Sequence, residues 1–370
     1  MLSRKQIQRR DRFAPPRFQK HMPAAFPFLW QSKGVIESLE HLPAGQVLQR
    51  DDVTRAVSGS DSDAHRLLVV ALAGGKVIGD LRLVATQNDL VIGDVQSVFG
   101  RGGLAGHHAL QRRRLRLPKY RRGTALLLGA SNSDSYYHWL VDSLPRWRLL
   151  QAAGWRDYDC VLLHGQPRQF QEEMLDWLGV PAAKRLRCSK NFVHQFERLV
   201  VPTMPFARKT NSAWVGAWLH ALVPKTNAGP EKIFLSRRGA PGRQLANEDE
   251  LFAALAPLGF ARVQPERLAV AEQARRLGAA HWVVAPHGAA LANLAFAPPG
   301  AQLLELFHPE HKNRVHENLA AACGHRYASL DGSATNRAGD PQLQYTVDVA
   351  AVLRKITEEI LSEFRNLKKR

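Results

Sequence analysis

The stretch HWVVAPHGAALANLAFAPPGAQLLELF, His281 to Phe307, decides the fold class. His281 to Ala285 form a short apolar run, ended by Pro286 and too short for a free-standing helix, so they read as a buried strand. A turn of small residues carrying His287 follows, then a short helix, a Pro-Gly break and a second strand, LLELF. That succession is a βαβ unit and implies a parallel sheet. Gly288, Ala289 and Ala290 let the backbone approach something large. The helix starting there would present free N–H groups and a positive dipole end, which suit a diphosphate. Open α/β sheets bind ligands at such strand-end loops. Taken alone, the turn reads equally well as a tight βα connection with a surface histidine.

The alternation extends in both directions. After the turn-rich VPKTNAGPEK (223–232) come strand KIFLS, helix NEDELFAALAPLG, strand ARVQ and helix LAVAEQARRLG, which lead into His281. Helix HENLAAACG and a strand near Tyr327 complete that series, and VDVAAVLRKITEEILSEFRNL is an amphipathic helix that packs across a domain. Upstream lie strand TALLLGA (124–130), the helix SYYHWLVDSLPRWRLLQAAG interrupted near Pro145, strand CVLLHG (160–165) and helix FQEEMLDWLG. Two short strands follow, around Leu186 and Leu199–Val201. RLLVVALAGGKVIGDLRLVATQNDLVIGDVQSVF (66–99), broken at Gly74-Gly75 and Gln87-Asn88-Asp89, reads as a β-meander. Residues 1–30 are a basic, proline-bearing lead-in. The expected fold is α/β, with two Rossmann-like domains facing a cleft and an N-terminal β-rich extension. Its segments are 1–110 for the extension, 111–225 for the first Rossmann-like (acceptor) domain, 226–345 for the second (donor) domain and 346–370 for a helix packing back.

Composition narrows the function classes. The formal net charge of +18 points to a polyanionic partner. RKQIQRRDRF near the start, RRRLRLPKYRR at 112–122 and NLKKR at the end hold much of it. No zinc-finger spacing, RNP-like strand or basic-zipper heptad accompanies the charge, so nucleic acid is disfavoured against an anionic membrane surface or a charged glycan intermediate. Cys160, Cys188 and Cys323 are odd in number and widely spaced, which argues against a disulfide framework or structural zinc and favours a reducing compartment. Cys160 reads as a small core residue. The N-terminus has no apolar signal-peptide core, and the longest apolar run, Leu67 to Ala73, is far short of the roughly 20 residues of a membrane span. A cytoplasmic protein, soluble or peripheral at the inner face of a membrane, is expected.

Three constellations could carry chemistry. In SNSDSYYHWLVDSLPRW, Asn132, Ser133 or Asp134 could cap a helix, with a capping-box spacing from Ser131 to Asp134. His138 falls in its first turns and Asp142 four residues on, along the same face. A carboxylate beside an imidazole holds its tautomer and raises its basicity, as a general base for a sugar hydroxyl requires; either His138 or Asp142 could take the proton. Tyr136, Tyr137, Trp139 and Trp147 cluster there to stack on sugars or to pack the core. In KIFLSRRGAPGRQLANEDEL, Ser236, Arg237 and Arg238 close a strand and Arg243 rides a Gly-Pro-Gly loop, where arginines can clamp a diphosphate. Third, Glu272-Gln273 precedes the His281 strand; the glutamate could receive ribose hydroxyls or simply solubilise its helix.

NSDSYYHWLVDSLPR, FLSRRGAPGRQLANEDEL and EQARRLGAAHWVVAPHGAALANLAFAPPGAQLLEL, in this order, resemble glycosyltransferase family 61. That family shows a histidine helix ending in D-x-L-P-R, a strand ending in S-R-R, and a GPHGA-type block before a strand ending in Glu. The resemblance covers roughly residues 120–310. It implies a GT-B-like fold and inverting, metal-independent transfer from a nucleoside-diphosphate sugar, with no cofactor beyond that co-substrate. By position it implies nucleotide or diphosphate contacts at Arg237 and Arg243, a donor-phosphate loop at His287, Gly288, Ala289 and Asn293, and a base at His138 with Asp142. Ala285 and Ala290 depart from the pattern, standing where glycines are common, and the first ~110 residues, expected to touch the acceptor, match nothing. Asp61-Ser62-Asp63 reads as a turn rather than a D-x-D metal site, so no metal ligands are expected.

The mechanism expected is in-line displacement: a deprotonated acceptor hydroxyl attacks while arginines and a helix N-terminus hold the leaving diphosphate. The acceptor would be a glycan or lipid-linked glycan of a bacterial capsule or lipopolysaccharide, with the basic tails on anionic lipid. A nucleotide-dependent oxidoreductase would need a G-x-G-x-x-G turn after a first strand, and none is present. The competing reading is a non-catalytic polyanion-binding protein.

Overall fold

The computed structural model describes residues 33–60, 66–80, 83–95, 118–130, 132–189, 192–206, 211–223, 229–240, 242–335 and 343–367. The basic lead-in, residues 112–117 of the basic run, the Asp61–Asp63 turn, Ser131, residues 224–228 of the turn-rich segment and the last three residues lie outside the described residues. The chain divides into two compact units, Met1–Lys209 and Thr210–Arg370.

The first unit is built on one ten-stranded mixed sheet. Its strands are β1 (Gly34–Ile36), β2 (Val47–Asp52), β3 (Leu68–Ala73), β4 (Lys76–Ile78), β5 (Leu83–Ala85), β6 (Leu90–Ile92), β7 (Lys119–Leu127), β8 (Cys160–His164), β9 (Arg185–Cys188) and β10 (Val193–Pro202). β10, β7, β8 and β9 run parallel in that order. On the other edge of β10, β3 and β4 pair with it antiparallel, end to end: Ala73 faces Arg198 and Lys76 faces Gln195. Gly74-Gly75 therefore does not turn the chain back, as a meander break would; it bends one strand line along β10. A Cβ on Gly75 would lie 2.8 Å from Leu199 Cβ, so the backbone there has room for glycine alone. The antiparallel meander starts only afterwards, at β4–β5–β6.

This topology corrects the segmentation expected from the sequence. Among the described residues before 110, strands β1 to β6 belong to the same sheet as β7 to β10. The physical reason lies in β10, whose Leu199, Val200 and Val201 are buried and whose backbone groups need partners on both edges. Leu68, Val70 and Leu72 of β3 join Leu127, Leu162 and Leu199 in one core cluster.

The second unit contains a five-stranded, wholly parallel sheet: β11 (Lys232–Leu235), β12 (Ala261–Val263), β13 (Trp282–Pro286), β14 (Gln302–Phe307) and β15 (Arg326–Asp331). The strand order is β12-β11-β13-β14-β15. β13 and β14 are buried along their whole length, which accounts for their near-continuous apolar sequences. Helix Val270–Leu277 turns Val270, Ala274 and Leu277 inward at helical spacing. Strand order reverses between β11 and β13, and open sheets bind ligands at the carboxyl ends beside such a reversal. Helix Val349–Leu367 packs back through Val352 and Ile356 onto Phe234, Leu251 and Leu304.

The boundary expected at 225/226 moves to 209/210 because helix Ala213–Ala221 packs within the second unit. His220 Nδ1 donates to the Phe296 carbonyl at 2.8 Å, and Gly216 leaves no room for a Cβ, which would come within 2.5 Å of Cys323 Sγ.

Candidate active site

In the first unit, strand β7, buried over its last four residues, leads into the His138 segment through a loop in which Leu128 to Ala130 and Ser133 are buried. Ser135 is the residue that precedes the helix, not Asn132, Ser133 or Asp134, and its side chain makes no capping bond. Ser133 is spent inside the loop: its hydroxyl donates to the Ala130 carbonyl at 2.7 Å and lies 2.6 Å from Ser143 Oγ. The helix is also not a uniform α-helix. Tyr136–His138 form one α-turn and Trp139–Ser143 widen into a π-turn, with Leu144 N–H donating to the Trp139 carbonyl at 2.8 Å. Single π-turns recur at functional sites.

His138 Nδ1 and Asp142 Oδ2 are 2.6 Å apart. The carboxylate is buried while the His138 side chain is 27% exposed, so the ring is reachable from solvent and its anchor is not. Burial pushes the Asp142 carboxyl up, against the opposing pull of His138 and Arg146. Trp139 and Trp147 are core residues. Tyr136 packs edge-on against Phe170 and Tyr137 against His138, with centroids 5.3 and 5.4 Å apart.

In the second unit, the carboxyl ends of β11 and β13 bring two arginines and the glycine turn together. Arg237 lies against Gly288: a Cβ there would be 2.0 Å from Arg237 Nη1. Gly288 is extended, with φ of 179°, so close approach and not backbone conformation requires glycine. Arg237 donates from Nε and Nη2 to the Gly242 carbonyl at 3.3 Å. Arg243, with φ of 52°, donates from Nη1 to His311 Nε2 at 2.9 Å; it has no ion pair and its buried Nε has no partner among the described residues. Burial, then the charge of Arg243, pulls Arg237 down to about 10, and burial pulls Arg243 down as well. Two partly buried cations side by side favour an anion.

Ser236, Arg238 and the remaining expected contacts are engaged elsewhere. Ser236 Oγ donates to Glu248 Oε1 at 2.6 Å, and Glu248 also receives the Arg237 N–H, so this pair shapes the strand end. Arg238 points outward to Asp249. Glu272 is held by Arg275 and Arg276 of its own helix, whose bonds, opposing burial, bring its carboxyl to about 2. Gln273 donates to the Pro265 and Leu268 carbonyls and accepts from fully buried Asn293 at 2.8 Å. Their amides clip two segments together. The short helix expected after the turn is a 3-10 helix, Ala289–Phe296. Its first N–H groups, on Ala289 and Ala290, still make no backbone bond among the described residues.

His287 sits at the centre of a network that the sequence reading missed. Its Nδ1 is 2.5 Å from Glu305 Oε1, its Nε2 receives Asn313 Nδ2 at 3.1 Å, and its ring stacks on Phe307. His316 Nδ1 lies 2.6 Å from the same Glu305 oxygen, and Tyr327 donates to the other at 2.8 Å. Burial would raise the Glu305 carboxyl, but the two imidazole bonds outweigh it and hold it at about 2. Burial keeps His287 below the ordinary histidine range, and His311 likewise, with Arg243 adding to the effect on both. His287, Glu305 and His316 place ligand-type atoms within 4.8 Å of one another. Their 2.5 and 2.6 Å contacts are hydrogen-bond lengths. Two ligands each ~2.1 Å from one zinc ion would stand roughly 3 Å or more apart. One signal was available in the sequence: Glu305 is a lone acid inside the apolar run QLLELF.

Residues 136–304 match the family model described as Glycosyltransferase 61, a span that takes in the His138 helix, the arginine loop and the glycine turn. No curated protein matches the chain. Among the described residues, no helix is long and apolar enough to cross a membrane.

Proposed function

We propose, from the match of residues 136–304 to the glycosyltransferase 61 family model, that the chain moves a sugar, with inversion and without a metal, from a nucleoside-diphosphate sugar to a glycan or lipid-linked glycan acceptor. The observation that carries the donor assignment is a pair of partly buried arginines at the strand-order reversal, Arg237 against Gly288 and Arg243 close enough for its charge to act on Arg237. Their guanidinium groups, with the N–H groups of Ala289 and Ala290, suit a diphosphate that gains charge as the anomeric C–O bond breaks. His138 Nε2 takes the acceptor's hydroxyl proton while Asp142 holds the proton on Nδ1. Under this reading the first unit serves the acceptor and the second the donor, a GT-B-like division of labour. The charge of +18 fits an acceptor carried at an anionic membrane face during surface-polysaccharide synthesis.

The test is a panel of sugar nucleotides assayed for released nucleoside diphosphate. Turnover of one donor, lost in His138→Ala with donor binding intact, is the expected result. Binding of any polyanion that fades with salt, without stabilisation by nucleotide, would instead assign the chain as a charge-driven binding protein.

A further inference from the structure

Strand β14 ends at Phe307, and His308 follows it with 1% of its surface exposed. The turn from His308 to His311 is closed by the His311 N–H donating to the His308 carbonyl at 3.0 Å. His311 Nε2 in turn accepts from Arg243 Nη1 at 2.9 Å. The His308 ring also stands edge-on to Tyr345, with centroids 5.8 Å apart. Tyr345 N–H donates to the carbonyl of Gln244, the neighbour of Arg243, at 3.1 Å. Across the sheet, the β13–β14 ladder runs out at the pair Pro286 and Leu306, two residues before Gly288 and His308 alike. His308 therefore belongs to the wall that carries Arg243 and the Gly288 turn.

The two nitrogens of this ring are unequal. Nδ1 accepts the Glu310 N–H at 3.1 Å. A backbone N–H can only donate, so Nδ1 bears no proton and the ring carries its proton on Nε2. That Nε2–H is buried and has no partner among the described residues. Arg243 Nε, in the same wall, is in the same condition. Unpaired buried donors are costly, and folded chains leave few of them without a cause. Two in one wall call for an acceptor from outside the chain. We propose that His308 is a further ligand residue of this site, donating Nε2–H to an oxygen of the diphosphate that Arg237 and Arg243 hold; it rests on the reading of those arginines as the diphosphate site. An uncharged donor adds a hydrogen bond without adding to the repulsion between two neighbouring cations. The bond strengthens as the leaving diphosphate gains charge.

Two substitutions separate the nitrogens. Asparagine puts an oxygen where Nδ1 sits and still accepts from the N–H two residues on, whereas the glutamine amide nitrogen reaches the place of Nε2. Inorganic pyrophosphate and a panel of nucleoside diphosphates are titrated calorimetrically into the full chain. His308→Asn is expected to bind about tenfold more weakly than wild type, and His308→Gln close to wild type. The reverse order, or equal affinity in the two variants, overturns the proposal, since the ring would then serve only its own turn. A crystal structure of the wild type with pyrophosphate decides even if neither variant folds. A phosphoryl oxygen about 2.7–3.2 Å from Nε2 is expected there; a water in that place, or no phosphoryl oxygen within reach, overturns the proposal. Arg243→Ala tells the two failures apart. If it weakens binding while His308→Asn does not, this proposal alone falls. If it binds as wild type does, the diphosphate reading falls and the proposal with it.

Discussion

Each unit pairs a buried carboxylate with an imidazole that follows a parallel strand, His138 after β7 and His287 after β13, and the two pairs differ in exposure and in partners. His138 keeps 27% of its side chain exposed, whereas His287 keeps 7% and has both ring nitrogens engaged. Asp142 faces one imidazole and its carboxyl is pushed up by burial; Glu305 faces two imidazoles and a phenol and is held at about 2. One partner leaves burial dominant, and a second reverses the balance. The first pair has the accessibility of a reacting group. The second pair has the saturation of a structural one, fixing the turn that carries Gly288.

The widest separation of the pairs is expected from removal of the rings and anchors. His138→Ala should lower turnover about 10²–10⁴-fold, the usual worth of a general base, with the unfolding midpoint unchanged. Glu305→Ala should do the reverse first: it strands two imidazole N–H groups and the Tyr327 hydroxyl, at a cost of about 3–5 kcal/mol in urea unfolding. Turnover loss with full stability in Glu305→Ala would erase the distinction. Gly288→Ala comes next. Its Cβ must displace Arg237, so a destabilisation of about 1–3 kcal/mol should accompany weakened nucleotide binding.

The smallest effect distinguishes the two carboxylates by sign. Glu305 is depressed in the folded state, so its contribution is present above the unfolded value near 4.5 and is lost as pH falls from there toward about 2. Asp142 is raised, so its cost appears as pH rises through 3.8 and is complete above its folded value. Stability measured from pH 3 to 7 should therefore lose part of its acid limb in Glu305→Gln. In Asp142→Asn it should be unchanged or higher at neutral pH, even as turnover falls. Parallel profiles for the two variants would contradict the contrast.

Much of the second unit was legible in the sequence, because each strand and helix of a parallel α/β sheet carries its own local period; KIFLS, HWVVA and LLELF all became strands. The first unit was harder to read. The pairing of β3 and β4 with β10 joins residues more than a hundred positions apart, and local periodicity does not encode such a partner. The residue types of the site were legible, while their commitments were not. Gln273 and Asn293 look like ligand contacts until each is found bonded to the other. Arg146 looks like one more surface cation in a basic chain until its burial is known. His316 has no local mark, since only folding brings it to Glu305.

Calorimetric titration of nucleoside diphosphates into two variants tests most directly whether the second unit holds the diphosphate while the first supplies the base. His138→Ala should bind the preferred diphosphate as tightly as wild type. Arg243→Ala should bind it roughly 10–100-fold more weakly, the worth of one charged hydrogen-bonding group. Unchanged affinity in Arg243→Ala, or a loss confined to His138→Ala, would contradict the account.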